Sequence, residues 1–372
     1  MTVVIAGGGL AGGAAAAALA RAGRAVTLIE REAGATDKIC GEFLSTEAQS
    51  YLAALGLDLD ALNGHPITHL RLIRGAHAVS TALPFRGLGL SRKILDEALL
   101  QHAAAAGATI RRGHAIRAAA GTILHVEGIG EIAAPTLFLA TGKHDLRGLK
   151  RVFAPPPLVG FKMYFALAAA QIAELAHHVE LIIFPGGYAG LQLVEDGKAN
   201  LCLLINRDAF AAAGGTWPAL LAQLCTQSPH LACRLSGARP LLAAPLSIAR
   251  VPYGYIHRPD EGDKIYRLGD QAGVIQSFTG DGMSIALHSA ALAVKTHLAG
   301  GTAAGFQAEL AHHITGQIRR AGALYGFLKT PLSQSALFHA ARIFPPGLSL
   351  AARFTRVPAS VRLERASASA EA

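Results

Sequence analysis

Thr2-Val3-Val4-Ile5-Ala6-Gly7-Gly8-Gly9-Leu10-Ala11-Gly12 stands near the N-terminus, and an alanine-rich stretch follows it to Arg24. A second apolar run, Ala25-Val26-Thr27-Leu28-Ile29, ends in Glu30. Strand, glycine turn, helix, strand and terminal acid come in the order of a dinucleotide site. Gly7 permits the tight turn out of the strand. Gly9 lets backbone N–H groups approach a pyrophosphate, and Gly12 lets the helix pack close to the sheet. Leu10 and Ala11 open that helix, whose unpaired N–H donors and positive dipole end face the phosphates. The Glu30 carboxylate, with Arg31 beside it, is placed to accept both hydroxyls of an adenosine ribose. A 2′-phosphate there would be repelled, which argues against NADP in this site.

Far downstream, Ile265-Tyr266-Arg267-Leu268 leads into Gly269-Asp270-Gln271-Ala272-Gly273. A single GxGxxG is a weak signal. The two elements together, about 260 residues apart, point to FAD held in an extended pose and so to a flavoenzyme. The expected class is α/β: a Rossmann-type FAD-binding domain, an inserted antiparallel-sheet substrate domain and C-terminal helices.

Composition agrees with a globular enzyme. At 372 residues the chain can bury a large core and should hold about two domains. Hydrophobic residues make up 51% and charged residues 16%, so the chain is apolar without being a bundle of membrane spans. The net charge of +9 is spread along the chain and no nucleic-acid motif accompanies it. A basic surface of this kind suits an anionic lipid, an acidic carrier or an anionic cofactor. Cys40, Cys202, Cys225 and Cys233 form neither a metal spacing nor a disulfide framework, which suits the cytoplasm. The uncharged residues 2–20 are long enough to mimic a membrane span. Three consecutive glycines interrupt them and no basic residue precedes them, so a buried strand and helix explain them better.

The flavin domain reads as discontinuous: 1–65, 90–155 and 259–310. Segments 66–89 and 156–258 read as the substrate domain, 311–358 as C-terminal helices and 359–372 as a frayed tail. Residues 69–73 and 78–83 are short strands. Ser91 caps an amphipathic helix, and 109–111 and 137–140 are strands of the nucleotide sheet, with Ala140-Thr141-Gly142 turning after the second. Residues 161–165, 179–184, 188–194 and 200–205 alternate as strands, with Gly186-Gly187 and Asp196-Gly197 as turns. Helices are expected over 281–300 and 305–325.

Several of these stretches carry a family resemblance. Gly7–Gly12, Lys38-Ile39-Cys40-Gly41, Leu90-Ser91-Arg92, Ala140-Thr141-Gly142, Gly269–Gly273 and Thr279-Gly280-Asp281-Gly282-Met283 resemble the geranylgeranyl reductase group. That group lies within the flavoprotein class of para-hydroxybenzoate hydroxylase. The resemblance spans about the first 310 residues. It implies that Asp270 bonds the ribityl or pyrophosphate side of FAD and that Arg92 reaches the ribityl-phosphate region. It further implies that Gly280 and Gly282, with Met283, open a helix aimed at the pyrimidine edge of the isoalloxazine. Lys38, Gly41, Thr141, Gly142 and Gly269 join the implied cofactor contacts. Cys40 is implied to lie beside the flavin, where a thiol tunes it or shapes the substrate pocket. Phe184-Pro185 matches the substrate motif of prenyl reductases, but Glu180 and Ile182 stand where that motif carries aromatics. Trp217 is the single Trp, whereas flavin halogenases carry tryptophans in that region, which argues against halogenation.

Two enzymatic readings and one other follow. Reduced FAD passes hydride from N5 to a C=C bond of a lipid-, prenyl- or polyketide-like substrate, free or carrier-bound. Alternatively, a monooxygenase hydroxylates an aromatic or polyketide ring through a C4a-hydroperoxyflavin. The third reading is an electron relay or lipid-binding flavoprotein. No second GxGxxG is present for NAD(P)H, so that cofactor docks transiently or a protein reductant replaces it. Residues 319–356 hold six Arg or Lys, no Asp or Glu, and many large apolar residues. Such a segment suits peripheral contact with a membrane.

Overall fold

A computed structural model describes residues 2–260 and 262–362. Val3–Ala6 is the central strand of a five-stranded parallel sheet, in the order Ile265–Arg267, Thr136–Leu139, Val3–Ala6, Val26–Glu30, Thr109–Arg112. Both faces of the sheet are covered, so its strands read as unbroken apolar runs. Val3 and Ile5 pack with the helices Leu10–Arg21, Arg92–Ala105 and Gly282–Leu298. Val4 and Ala6 point the other way, onto an antiparallel meander of Ile116–Ala120, Ile123–Val126 and Gly130–Ala133. That meander was not expected. Ser91 caps the Arg92 helix by accepting from the Ile94 N–H.

The second sheet has nine strands. The strands expected around 69–73 and 78–83 are longer, His65–Arg74 and His77–Gly89, and pair with each other. Leu158–Ala166, Ala199–Asn206, Gly187–Leu193 and His177–Phe184 follow antiparallel to one another. His177–Phe184 then lies parallel to His65–Arg74, so the sheet is mixed rather than purely antiparallel. Its two faces differ, as a period of two requires. One face, including Phe161, Met163, Ile182, Leu191 and Leu203, packs on the helices Trp217–Gln227 and Pro229–Arg234. The other face looks toward the flavin domain.

Helices occupy Gly282–Leu298, Ala303–Gly326, Pro331–Ile343 and Pro346–Phe354. The boundary expected after residue 310 therefore falls inside one continuous helix, whose apolar stripe Phe306, Leu310, Ile314 and Ile318 runs through it without a break. The expected tail is anchored at its start. Arg362 Nη2 meets Glu47 Oε1 at 2.6 Å, and Val361 packs on the main core. Residues 363–372 lie outside the described residues. Among the described residues no helix is long and apolar enough to cross a membrane.

Candidate functional site

The glycine turn is built as its sequence requires. Gly7 sits at φ +104°, and a Cβ there would lie 2.5 Å from the Ala140 carbonyl oxygen. A Cβ on Gly12 would overlap the Gly7 carbonyl oxygen. Gly9 differs: a Cβ there would meet only Arg92 Nη2 at 3.3 Å and Lys38 Nζ at 3.8 Å. Gly9 also begins the Leu10–Arg21 helix without a side-chain cap, and no acidic residue occupies its first turn. The uncapped N–H groups of that helix therefore face two cations across open space, an arrangement that attracts an anion.

Arg92 and Lys38 are held by one carboxylate. Arg92 Nε and Nη2 lie 2.7 and 2.9 Å from Asp96, and Lys38 Nζ lies 2.8 Å from it. Burial opposes charge on Asp96, but Arg92 and Lys38 outweigh it and depress its pKa. Burial likewise opposes charge on Arg92, and Asp96 and the Cys40 sulfur beside it overcome that and raise its pKa. Lys143 meets Asp270 at 3.4 Å, and this carboxylate raises the lysine's pKa. Glu30 is buried at its strand tip as expected. Its oxygens already accept from the Gly8 N–H at 2.5 Å and the Glu32 N–H at 3.2 Å, so it braces the turn. Arg31 is half exposed and pairs with Glu32 at 2.9 Å.

One cavity of about 310 Å³ joins most of the expected contacts. Gly9, Leu10, Ala11, Cys40, Gly41, Arg92, Gly142, Gly269, Asp270, Gly280, Gly282 and Met283 all line it. Gly7, Gly12, Glu30, Arg31, Lys38 and Thr141 do not; Gly7 and Gly12 shape the turn behind it, and the Thr141 hydroxyl is taken up by the His144 carbonyl at 2.9 Å. Gly280 sits at φ +67°, where a Cβ would lie 2.8 Å from Phe43 Cδ1. The Gly282–Leu298 helix that follows has no side-chain cap, and a Cβ on Gly282 would meet nothing within 4 Å. Two uncapped helix N-termini thus open on one cavity. These residues fit FAD: the Gly9 turn with Arg92 and Lys38 would hold the pyrophosphate, and the Gly282 helix would face the isoalloxazine. Bound there, the flavin would supply two-electron chemistry.

The remaining wall is mostly apolar, with Glu42, Glu180, Gln192 and Arg356 also reaching it. Leu70, Leu72, Val179, Leu181 and Leu204 come from the sheet, Leu324, Leu337 and Leu348 from the C-terminal helices, and Leu328 from the turn between two of them. Glu180 and Ile182, at the positions of the prenyl-reductase aromatics, aim their side chains at the back face. Ile182 packs in the rear core, while Glu180 bonds Arg71 (2.6 Å), His230 (3.0 Å) and Arg234 (3.0 Å). Burial would raise Glu180; hydrogen bonds from His230 and Arg234 outweigh it and bring it down to about 2. Trp217 also lies behind the sheet, 5.8 Å from the Phe161 ring. Ile182 and Trp217 therefore lie behind the sheet, while Glu180 still contributes to the cavity lining although its side-chain bonds run to the back face.

The sequence reading missed a buried network beneath Cys40. Glu42 and Lys162 are fully buried and meet at 2.5 Å. Tyr164 Oη donates to Glu42 at 2.8 Å, and the Arg92 N–H does so at the same distance. Asn200 Nδ2 donates to Glu42 and to the Cys40 and Gly41 carbonyls, while Gln192 Nε2 donates to the Glu42 carbonyl. Glu42 sits at φ 61°, a strained conformation for a non-glycine residue. Burial pushes its carboxyl above the ordinary range although Lys162 pulls it down. The network clamps the Lys38–Glu42 loop onto the second sheet. The Cys40 sulfur accepts from the Glu42 N–H at 3.3 Å at the cavity edge. A lone Lys inside Phe161-Lys162-Met163-Tyr164-Phe165 was the available signal.

Arg356 was also unforeseen as a site residue. Its guanidinium donates to the Thr279 carbonyl at 2.7 Å and to Asp281 at 3.3 Å, and lies 4.6 Å from the Phe85 ring centre. Gln317 Nε2 also donates to Asp281. Burial raises the Asp281 carboxyl to about 6, against the pull of Arg356.

Residues 1–129 match the family described as FAD binding domain. No curated protein matches the chain in sequence. Among solved structures, the flavin-dependent brominase Bmp2 superposes with a TM-score of 0.79 at 17% identity, covering 95% of this chain and 93% of that one. PqsL of P. aeruginosa, in complex with 2-aminobenzoylacetate, gives 0.71 at 18% identity, covering 91% and 99%. The myxobacterial chondrochloren halogenase CndH, an FAD-dependent halogenase, gives 0.72 at 20% identity, covering 88% and 81%. At these identities the likeness establishes the fold. With residues 1–129 matching an FAD-binding domain in sequence and the fold shared with FAD-dependent proteins in structure, the cofactor is FAD.

Proposed function

We propose that the chain uses reduced FAD to saturate a C=C bond of an apolar lipid-, prenyl- or polyketide-like substrate, free or carrier-bound. The observation that carries this reading is the cavity itself. Its flavin half is glycine-lined and cationic, and its other half is walled largely by leucines, with no metal-ligand cluster among the described residues. Hydride would leave the flavin for one carbon of the double bond, and a proton would reach the other. Tyr188 and Tyr253 line the same cavity and approach Ser277 Oγ at 2.6 and 3.5 Å. Burial pushes Tyr253 up to about 12 and raises Tyr188 as well, so both keep their protons at neutral pH and can donate them. NAD(P)H or a protein reductant would restore the flavin's electron pair. Cys40 is assigned to the flavin-proximal wall, and the glycines of the two motifs, Glu30, Arg92 and Asp270 to FAD. We place the protein in the cytoplasm.

A second reading has reduced FAD activate oxygen to hydroxylate an aromatic or polyketide ring. The fold shared with FAD-dependent halogenases favours it. Anaerobic reduction followed by stopped-flow mixing with oxygen separates the two. A direct return of the oxidised spectrum supports the reductase reading. A long-lived oxygen-dependent intermediate overturns it for oxygenation. Bound lipid with a flavin that no reductant reaches would leave an electron-relay or lipid-binding role.

A further inference from the structure

The helices Pro331–Ile343 and Pro346–Phe354 are apolar on two sides. Their inner side belongs to the protein: Gln334, Phe338 and Ala341 are buried, and Leu337, Leu348, Ala351 and Ala352 line the cavity. The outer side carries Leu332 at 82% exposure, Ile343 at 86%, Phe344 at 58%, Leu350 at 49% and Phe354 at 55%. Leu332, Ala336, Ala340 and Ile343 follow helical spacing and form one outward stripe, while Leu350 and Phe354 form another. Isolated exposed apolar residues are ordinary, but a cluster of large ones on adjacent helices marks a contact surface.

The charge along this C-terminal segment has one sign. Arg319, Arg320, Lys329, Arg342 and Arg353 are all exposed, and no Asp or Glu occurs between Arg319 and Arg356. Among the described residues Arg319, Arg342 and Arg353 make no ion pair. Large aliphatic and aromatic side chains with the unpaired Arg342 and Arg353 on the same two helices complement an anionic bilayer surface, with the apolar groups among the acyl chains and the cations at the headgroups.

We infer that these two helices are a membrane-resting roof: their outer face sits in an anionic lipid surface while their inner face closes the substrate cavity. This rests on the proposal of an apolar substrate and adds its source. A lipid-like molecule would pass from the bilayer between the helices and reach the flavin without crossing water. Helices of 13 and 9 residues lie in the interface rather than spanning it.

The test uses the full, FAD-loaded chain. Sedimentation with vesicles of phosphatidylcholine containing phosphatidylglycerol should carry it down at low salt. Binding should weaken as salt rises and be much weaker to phosphatidylcholine alone. Leu332→Ser with Ile343→Ser, and separately Arg342→Ser with Arg353→Ser, should each lower apparent affinity by roughly tenfold or more while keeping FAD, because these side chains face outward. Ile343→Trp should show a blue shift in emission on anionic vesicles, a readout independent of the paired variants. Loaded protein that stays wholly in the supernatant overturns the inference. So does unchanged binding by both paired variants, or a self-association that the apolar pair dissolves, which would make a second copy the occupant. Flavin content and reduction in solution report on the proposed activity separately.

Discussion

Replacing Lys162 with Met tests the network that holds the Cys40 loop. Glu42 and its partner are fully buried, and Glu42 would keep its bonds from Tyr164, Asn200 and the Arg92 N–H. It would lose its only side-chain cation among the described residues. Breaking one partner of a buried pair typically costs about 3–5 kcal/mol. Here the cost has a ceiling, because the carboxyl can take up a proton instead. From an ordinary value of 4.5, protonation costs about 3.4 kcal/mol at pH 7 and about 0.7 kcal/mol at pH 5, at 1.36 kcal/mol per unit. The variant's folded Glu42 has a raised pKa, so its penalty is small at low pH and grows as pH rises toward that value. Urea unfolding of FAD-loaded wild type and Lys162→Met at pH 5 and 7 measures it. Because the wild-type carboxyl is already raised, the difference falls below that ceiling: the variant should be weaker by about 1–3 kcal/mol at pH 7 and by less at pH 5, allowing for lost packing. Adding Glu42→Gln should recover part of the loss at pH 7. A loss below about 1 kcal/mol at pH 7, or an equal loss at both pH values, would refute the buried pair.

Gly9→Ala should release flavin while leaving the apo fold intact, since its new methyl group meets only flexible cation tips. Gly12→Ala should instead lower apo thermal stability, because the methyl group strikes the Gly7 backbone; identical behaviour of the two would contradict the turn geometry. Glu30→Ala should reduce both flavin affinity and apo stability, the latter by roughly 1–3 kcal/mol through the unpaired Gly8 N–H; a fold left wholly untouched in urea would exclude that bond. Glu180 is depressed from 4.5 to about 2, so the stability it contributes is present above pH 4.5 and is lost as pH falls toward 2. It is worth about 3 kcal/mol, and acid unfolding of Glu180→Gln should show a correspondingly shallower slope over that window.

The nucleotide half was legible because its signals are local. Gly7, Gly9, Gly12 and Glu30 lie within one strand–helix–strand unit, and Ser91 caps its helix from within four residues. The second sheet was legible strand by strand, since Val179, Leu181 and Ile183 alternate with Glu180 and Ile182. Its pairing was not. Nothing local states that His177–Phe184 runs parallel to His65–Arg74, more than a hundred residues earlier. The meander escaped because Arg117-Ala118-Ala119-Ala120 and Gly130-Glu131-Ile132-Ala133 are short, with small residues that alternate weakly. Glu42 meets Lys162 across 120 positions, and Arg356 meets Asp281 across 75. Each lone charge could be noticed in sequence, but its partner is set by the tertiary fold. The boundary drawn at 310 followed where the resemblance faded, whereas the helix there continues because its apolar stripe does.

The central claim is that the cavity between the Gly9 turn and the Gly282 helix holds FAD. Its most direct measurement is the cofactor content of the purified full-length protein, read from absorbance near the usual flavin band at roughly 450 nm and from material released on denaturation. One FAD per chain, released without a covalent link and lost in Gly9→Ala and Asp270→Ala, is the predicted result. A wild-type protein that neither carries nor takes up FAD, or variants that both retain it in full, would contradict the account.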